Sequence, residues 1–187
     1  MSEFCLDVFH GTDRKCAEQI LNSDFIYRYN NAHWLGNGVY FYMDKFLAQW
    51  WTSKPSKSFG SNISDPVIIR CKLNIDEDFI IDLRNYQDYK MFTNIYYNDF
   101  INSAFLEKFD INHGNSRKVR CSYCDFLHEK YDCQLIIGNF YLPKQPYLKG
   151  SHYEEVSNVF SLPYIETQVC LFNTTHIIKK EIVEVKQ

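Results

Sequence analysis

An α+β domain built mainly from short strands is the fold class this sequence predicts, and three observations predict it. The first fifty-odd residues read strand, turn, helix, loop, strand, helix. Two β-rich runs, 67–73 and 79–83, flank the acidic turn Asp76-Glu77-Asp78. The chain then closes on two further strand-like runs, 168–172 and 177–185, with no internal repeat and no composition shift that would mark a boundary. At 187 residues it is long enough to bury one substantial core, so residues 1–187 read as a single domain.

Each element has its own reason. Residues 4–9 are apolar-rich and stop at His10-Gly11-Thr12, as a strand delivering a turn does. From residue 13 to 22 the apolar positions Cys16, Ala17, Ile20 and Leu21 repeat at helical spacing. Residues 30–33 read as loop. Gly36 and Gly38 precede a short strand over 39–42, and Asp44 is an N-cap for a helix that carries Phe46, Leu47, Trp50 and Trp51. Residues 54–65 contain Ser, Gly and Pro and read as a connection. The stretch 86–109 has helical character, with Met91, Ile95, Phe100, Ala104 and Phe105 available for a buried face. Polar residues 110–120 read as loop, 123–131 as a short helix and 134–137 as a strand followed by a Pro-bearing loop.

Composition narrows the function classes. The 20 basic and 23 acidic residues leave a net charge of −3, which argues against a broadly basic surface that binds nucleic acid by counterion release. Arg117, Lys118 and Arg120 form the densest basic cluster and read as a solvated loop. No basic segment followed by an apolar run opens the chain, and no stretch approaches the roughly 18 apolar residues of a membrane span, so a cytoplasmic protein is expected, with signal-independent export as the other route. Seven cysteines without framework spacing fit a reducing compartment. Aromatic residues reach 17%, which fits either rings at a surface or in a ligand pocket beyond those in the core, or the Tyr, Phe, Ile, Asn and Lys usage of an AT-rich genome.

Two motifs carry chemistry when taken in order. In Gly36-Asn37-Gly38-Val39-Tyr40-Phe41 the glycines let backbone approach a flat ligand, while Tyr40 offers a ring for stacking and a hydroxyl for orientation. A phosphate-loop reading fails, because no third glycine opens the next helix and no Lys-Ser/Thr follows. His10-Gly11-Thr12, then Leu35 to Phe41, then a helix with Ala48, Trp50 and Trp51, resembles the NAD-binding half of the ADP-ribosyltransferase superfamily, in its His-Tyr-Glu branch with the poly(ADP-ribose) polymerases and diphtheria-like toxins. The segment is most similar to small bacterial members with a Trp-Leu-Gly-x-Gly-Val/Ile-Tyr-Phe block.

That resemblance implies a split antiparallel β-sandwich with flanking helices and an enzyme that moves ADP-ribose from NAD, its co-substrate, to a macromolecular acceptor. It implies that His10, Gly11, Thr12 and Gly38 hold the cofactor, that Tyr40 supplies one ring of a nicotinamide sandwich, and that Trp50 or Trp51 replaces the usual tyrosine as the other. Ser161-Leu162-Pro163-Tyr164-Ile165-Glu166 is similar to the run that ends in the signature glutamate, whereas a register anchored on residues 169–172 puts Gln168 there. Glu166 is preferred, since only a carboxylate offsets the positive charge that grows on the ribose as nicotinamide leaves, and Gln168 then orients ribose or acceptor. The implied role is a bacterial or phage toxin, effector or defence component, with an antitoxin or immunity protein as partner. Net charge favours a protein acceptor over nucleic acid, and residues 54–65 and 110–122 are the loops from which it would be read. Water as acceptor gives an NAD glycohydrolase, and a pocket without turnover gives an NAD- or ADP-ribose-binding module.

Cys121-x-x-Cys124, with His128, Cys133 and His113 near it, offers half of a zinc site. The second half lacks paired spacing, and Phe126, Leu127 and Tyr131 give the segment a buried helical face, so structural thiols and no metal are expected.

Overall fold

The computed structural model describes residues 2–53, 63–103, 116–140, 154, 156, 159 and 165–185. Within them the chain forms seven strands and four α-helices, an α+β arrangement. β1 (Glu3–Asp13) leads directly into α1 (Arg14–Asn22), whose N-cap carboxylate, Asp13, accepts the Lys15 N–H at 3.2 Å. β2 (Val39–Tyr42) and α2 (Lys45–Ser53) follow. Asp44 accepts the Phe46 N–H at 2.8 Å at the start of α2, as its place before an apolar-periodic run predicts. β3 (Pro66–Asp76), a 3₁₀ turn over Glu77–Phe79 and β4 (Ile80–Asp82) come next, then α3 (Tyr86–Ile95) with one π turn over Tyr96–Phe100. α4 (Ser116–Tyr131), β5 (Leu135–Phe140), β6 (Glu166–Leu171) and β7 (Ile177–Glu184) complete the described chain.

The strands hydrogen-bond in the order β4-β5-β6-β2-β1-β3-β7, antiparallel throughout except for the parallel pair β4–β5. β1 and β3 pair along their whole length, from Glu3↔Asp76 to Asp13↔Pro66. At the middle of the sheet the pairing narrows to the single match Phe9↔Tyr42 between β1 and β2. Both flanks of that junction turn alternate residues to one core: Val8 of β1, Val67, Ile69, Cys71, Leu73 and Ile75 of β3, Val39 and Phe41 of β2, Leu135 and Ile137 of β5, and Val169 and Leu171 of β6. This is the period-two pattern that a strand with one buried face requires. Each such side chain contributes roughly 1.5–3 kcal/mol on burial. A second core lies on the opposite face of the β4-β5-β6-β2 flank, where Ile136 and Cys170 meet Tyr123, Cys124, Phe126 and Leu127 of α4 together with Leu35 and Phe100.

Three sequence expectations change. Residues 116–120 belong to α4 and not to a loop: Cys121 is buried and Cys124 and Leu127 are drawn into the second core, which extends the helix back to its polar first turn. Arg120 is accordingly no solvated loop cation: its guanidinium lies over the Trp34 ring, 4.2 Å from the centroid. The two β-rich runs around Asp76-Glu77-Asp78 are strands, but they are not neighbours, since β3 sits between β1 and β7 whereas β4 forms the opposite edge beside β5. Of the proposed acceptor loops, residues 116–122 are helical, residues 63–65 begin a tethered approach to β3, and 54–62 and 110–115 lie outside the described residues. So do His113, the 161–164 part of the glutamate run, and residues 104–109 of the long helical stretch.

Candidate functional site

The first motif ends β1 beside β2. His10 is half-buried, and its Nδ1 lies 2.8 Å from the carbonyl oxygen of Tyr40. A carbonyl only accepts, so Nδ1 carries the proton, and in the neutral ring Nε2 presents a lone pair. The ring packs edge-on against Phe25 and Phe41, at 5.3 and 5.9 Å between centroids. Burial holds its pKa below the ordinary 6.5. Gly11 has a steric reason to be glycine: a Cβ there would stand 2.3 Å from the Ala48 carbonyl oxygen of α2. Thr12 continues β1 opposite Val67. Past Phe9, β1 has no strand paired to it on the β2 side among the described residues.

The second motif is a loop clamped from several directions. The Tyr40 hydroxyl donates to the Gly36 carbonyl at 2.9 Å and accepts the Leu35 N–H at 2.6 Å. That hydroxyl is therefore committed to the loop, its pKa pushed up by burial, and only the ring is left for a ligand. Gly36 adopts φ +91°, a conformation that favours glycine. Asn37 donates its backbone N–H and its side-chain amide to the Asp125 carboxylate at 2.6 and 2.7 Å, tying the loop to α4. A Cβ on Gly38 would lie 2.6 Å from the Leu171 carbonyl oxygen, so the loop can enter β2 only by passing tightly over β6.

The third group gathers where β6 begins. Paired residues of antiparallel strands share a face, so Tyr42↔Gln168, Gly138↔Gln168 and Phe140↔Glu166 set these side chains together. Glu166 is only 3% exposed, and the Gln168 side-chain amide donates to its Oε1 at 2.5 Å. The Tyr42 ring lies 6.5 Å from that of Trp51. Trp50 instead joins Tyr42 and Phe46 around the buried Leu47. The predicted residues thus form two groups linked through β2: the carbonyl of Tyr40 holds His10, and two residues on Tyr42 faces Gln168 beside Glu166. Chemically, the corner offers a buried carboxylate aimed by an amide, flanked by aromatic rings.

Sequence reasoning passed over Tyr42, although its period-two relation to Tyr40 puts both on one face. It had no means of finding Asp125, which lies 88 residues from its partner Asn37. The cysteine cluster resolves into separate contacts. The Cys121 thiol donates to the Asn30 carbonyl at 3.2 Å and the Cys133 thiol to that of Leu135 at 3.4 Å. Cys124 is fully buried, and His128 bonds the Cys133 carbonyl at 2.9 Å while stacking on Phe172. Burial pushes the thiols up, Cys121 to about 11 and Cys133 to about 12. Among the described residues no three His, Cys, Asp or Glu side chains converge where they could hold a metal ion. No described helix is long and apolar enough to cross a membrane.

The chain is similar to an uncharacterized protein of Methanocaldococcus jannaschii, 33% identical over 97 residues, which cover 51% of this chain and 45% of that one. It thus spans less than half the length of the relative it matches. No protein-family model and no solved structure matches the chain.

Proposed function

We propose that this protein is an NAD-dependent mono-ADP-ribosyltransferase whose sheet is a split sandwich hinged at Phe9↔Tyr42. The observation that carries the reading is the Gln168 amide bonded to a nearly buried Glu166 carboxylate on the same face as Tyr42. In this reading nicotinamide departs with the electrons of the glycosidic bond, which neutralises its ring and leaves positive charge on the ribose. Glu166 stands ready to stabilise that charge, and an amide-fixed carboxylate in a dry corner costs little reorganisation at the moment of reaction. The acceptor's nucleophilic atom then bonds the anomeric carbon and gives up its proton.

The same reading assigns the other contacts. His10 Nε2 accepts a ribose hydroxyl, because Nδ1 is committed to the Tyr40 carbonyl. The edge of β1 past Phe9 offers backbone groups to the nicotinamide amide. Trp51, in contact with Tyr42, is the better stacking partner, and Trp50 serves the packing around Leu47. Thr12, near the end of β1, and Gly38, just before β2, are assigned to the cofactor on the resemblance. A toxin, effector or defence role, in the cytoplasm or after export, and an antitoxin or immunity partner belong to this proposal.

Incubation with NAD labelled in its adenylate part and whole-cell extract tests it. Label entering protein supports transfer. Nicotinamide release with no labelled macromolecule selects an NAD glycohydrolase. One observation favours a third outcome, binding without turnover: Oε1 of Glu166 is already engaged by Gln168. NAD affinity with no nicotinamide release by any extract would select it.

A further inference from the structure

We propose that Arg120, seated on Trp34, binds a phosphate group of the ligand that occupies the Glu166 corner. The proposal rests on the transferase reading for the identity of that ligand, but its geometry is independent. Phe140 pairs with Glu166 across β5 and β6, so both side chains occupy one face. The Phe140 ring meets Trp34 edge-on at 4.6 Å, and Trp34 carries the guanidinium carbon of Arg120 at 4.2 Å. A contiguous wall therefore runs from the carboxylate through two rings to a cation. Trp34 and Tyr40 pack against the same core, so the wall adjoins the clamped loop that Tyr40 secures.

Arg120 is unusual in what it lacks. Its Nε and Nη2 are buried and have no hydrogen-bond partner, and no carboxylate pairs with it among the described residues. Asp125, the nearest acid on α4 with a described role, is occupied by Asn37. Two guanidinium donors shielded from water and left without a partner are costly, and orphaned buried donors call for an explanation. Stacking on Trp34 offsets part of that cost but satisfies neither donor. Burial also pulls its pKa down. An arriving anion would supply what is missing, and the planar fork of arginine suits phosphate oxygens in a bidentate contact. A dinucleotide carries its negative charge on phosphate, so phosphate is the group that meets this cation.

Calorimetry with inorganic pyrophosphate, ADP-ribose and uncharged adenosine tests the inference on wild type, Arg120→Gln, Arg120→Met and Arg120→Lys. Arg120→Gln and Arg120→Met are expected to weaken pyrophosphate and ADP-ribose by about tenfold or more, with Arg120→Lys between, and to leave adenosine alone. Without ligand, Arg120→Met should melt no lower than wild type, because an orphaned cation has been replaced by an apolar chain. Equal pyrophosphate affinity in wild type and Arg120→Gln overturns the proposal, as does a wild type that binds neither phosphate-bearing probe. Nicotinamide release by wild type is scored separately. Arg120-dependent pyrophosphate binding without turnover keeps this inference and removes the transferase reading; turnover with Arg120-independent pyrophosphate binding does the reverse. A raised KM for NAD at unchanged kcat in Arg120→Gln assigns the phosphate to NAD, and an unchanged KM in a variant that still turns over overturns the proposal.

Discussion

His10 and Tyr40 hold each other in place, and each makes a prediction that the other's chemistry sharpens. Replacing His10 with alanine removes the Nε2 acceptor and should weaken NAD by on the order of 1–2 kcal/mol, read by calorimetry, with the fold retained. Unchanged affinity would leave His10 a structural residue only. Its pH behaviour follows from burial. The folded pKa lies below the unfolded value near 6.5, so in that window the unfolded chain binds more protons. Stability is then full above pH 6.5 and declines as pH falls from there to the folded pKa. Urea titrations across that range should show the decline, and His10→Gln should flatten it; an unaltered slope in the variant would assign the effect elsewhere. For Tyr40, sequence alone suggested a hydroxyl aimed at ligand, but it closes the Leu35–Gly36 turn. Tyr40→Phe leaves both backbone groups without that partner and should cost about 1–3 kcal/mol of stability while keeping the stacking face. A melting temperature equal to wild type would show that the clamp contributes nothing.

At the scale of elements, what could be read from sequence was what local chemistry decides. β2 matches its expected limits because two glycines precede it and Asp44 caps the helix after it. α1 was legible from apolar spacing alone; its N-cap Asp13, which the sequence did not single out, also gathers Ser64 and Asp65 and is held at about 2 by those bonds. Asp13→Ala should therefore lower the melting temperature at neutral pH. In wild type the Asp13 contribution, present above the ordinary 3.8, should fade as pH drops toward 2. The early start of α4 could not be read, because its polar first turn becomes helix only through burial of Cys121 and Cys124 further along. The separation of β3 from β4 was hidden for a related reason: a turn signal reports a reversal and not the neighbour that results. Gly11 shows the opposite ambiguity. Its sequence context suggested ligand approach, and the close neighbour is α2. Gly11→Ala should cost roughly 1–3 kcal/mol by forcing that helix away, a change measurable by denaturation. A neutral effect would mean that α2 yields freely.

For the whole molecule, the succession of short strands and helices announced an α+β arrangement, while the way the two flanks share a core depends on contacts between residues far apart in the chain. Val8, Phe41, Leu73 and Leu171 come from four strands, and nothing in their local sequence names the others as partners. The candidate site has the same character. His10, Tyr40 and either Glu166 or Gln168 were named from an ordered resemblance, whereas Tyr42 and the Arg120–Trp34 stack emerged only once β2, β6 and α4 were assembled around them. The central claim is that this assembly cleaves NAD through Glu166. Its most direct test is nicotinamide release from NAD by wild type, Glu166→Gln and Gln168→Ala, alongside NAD affinity. The account predicts that Glu166→Gln lowers turnover by roughly 10²–10³ with little change in affinity, and that Gln168→Ala loses less. Near-normal turnover in Glu166→Gln beside an inactive Gln168→Ala would contradict it.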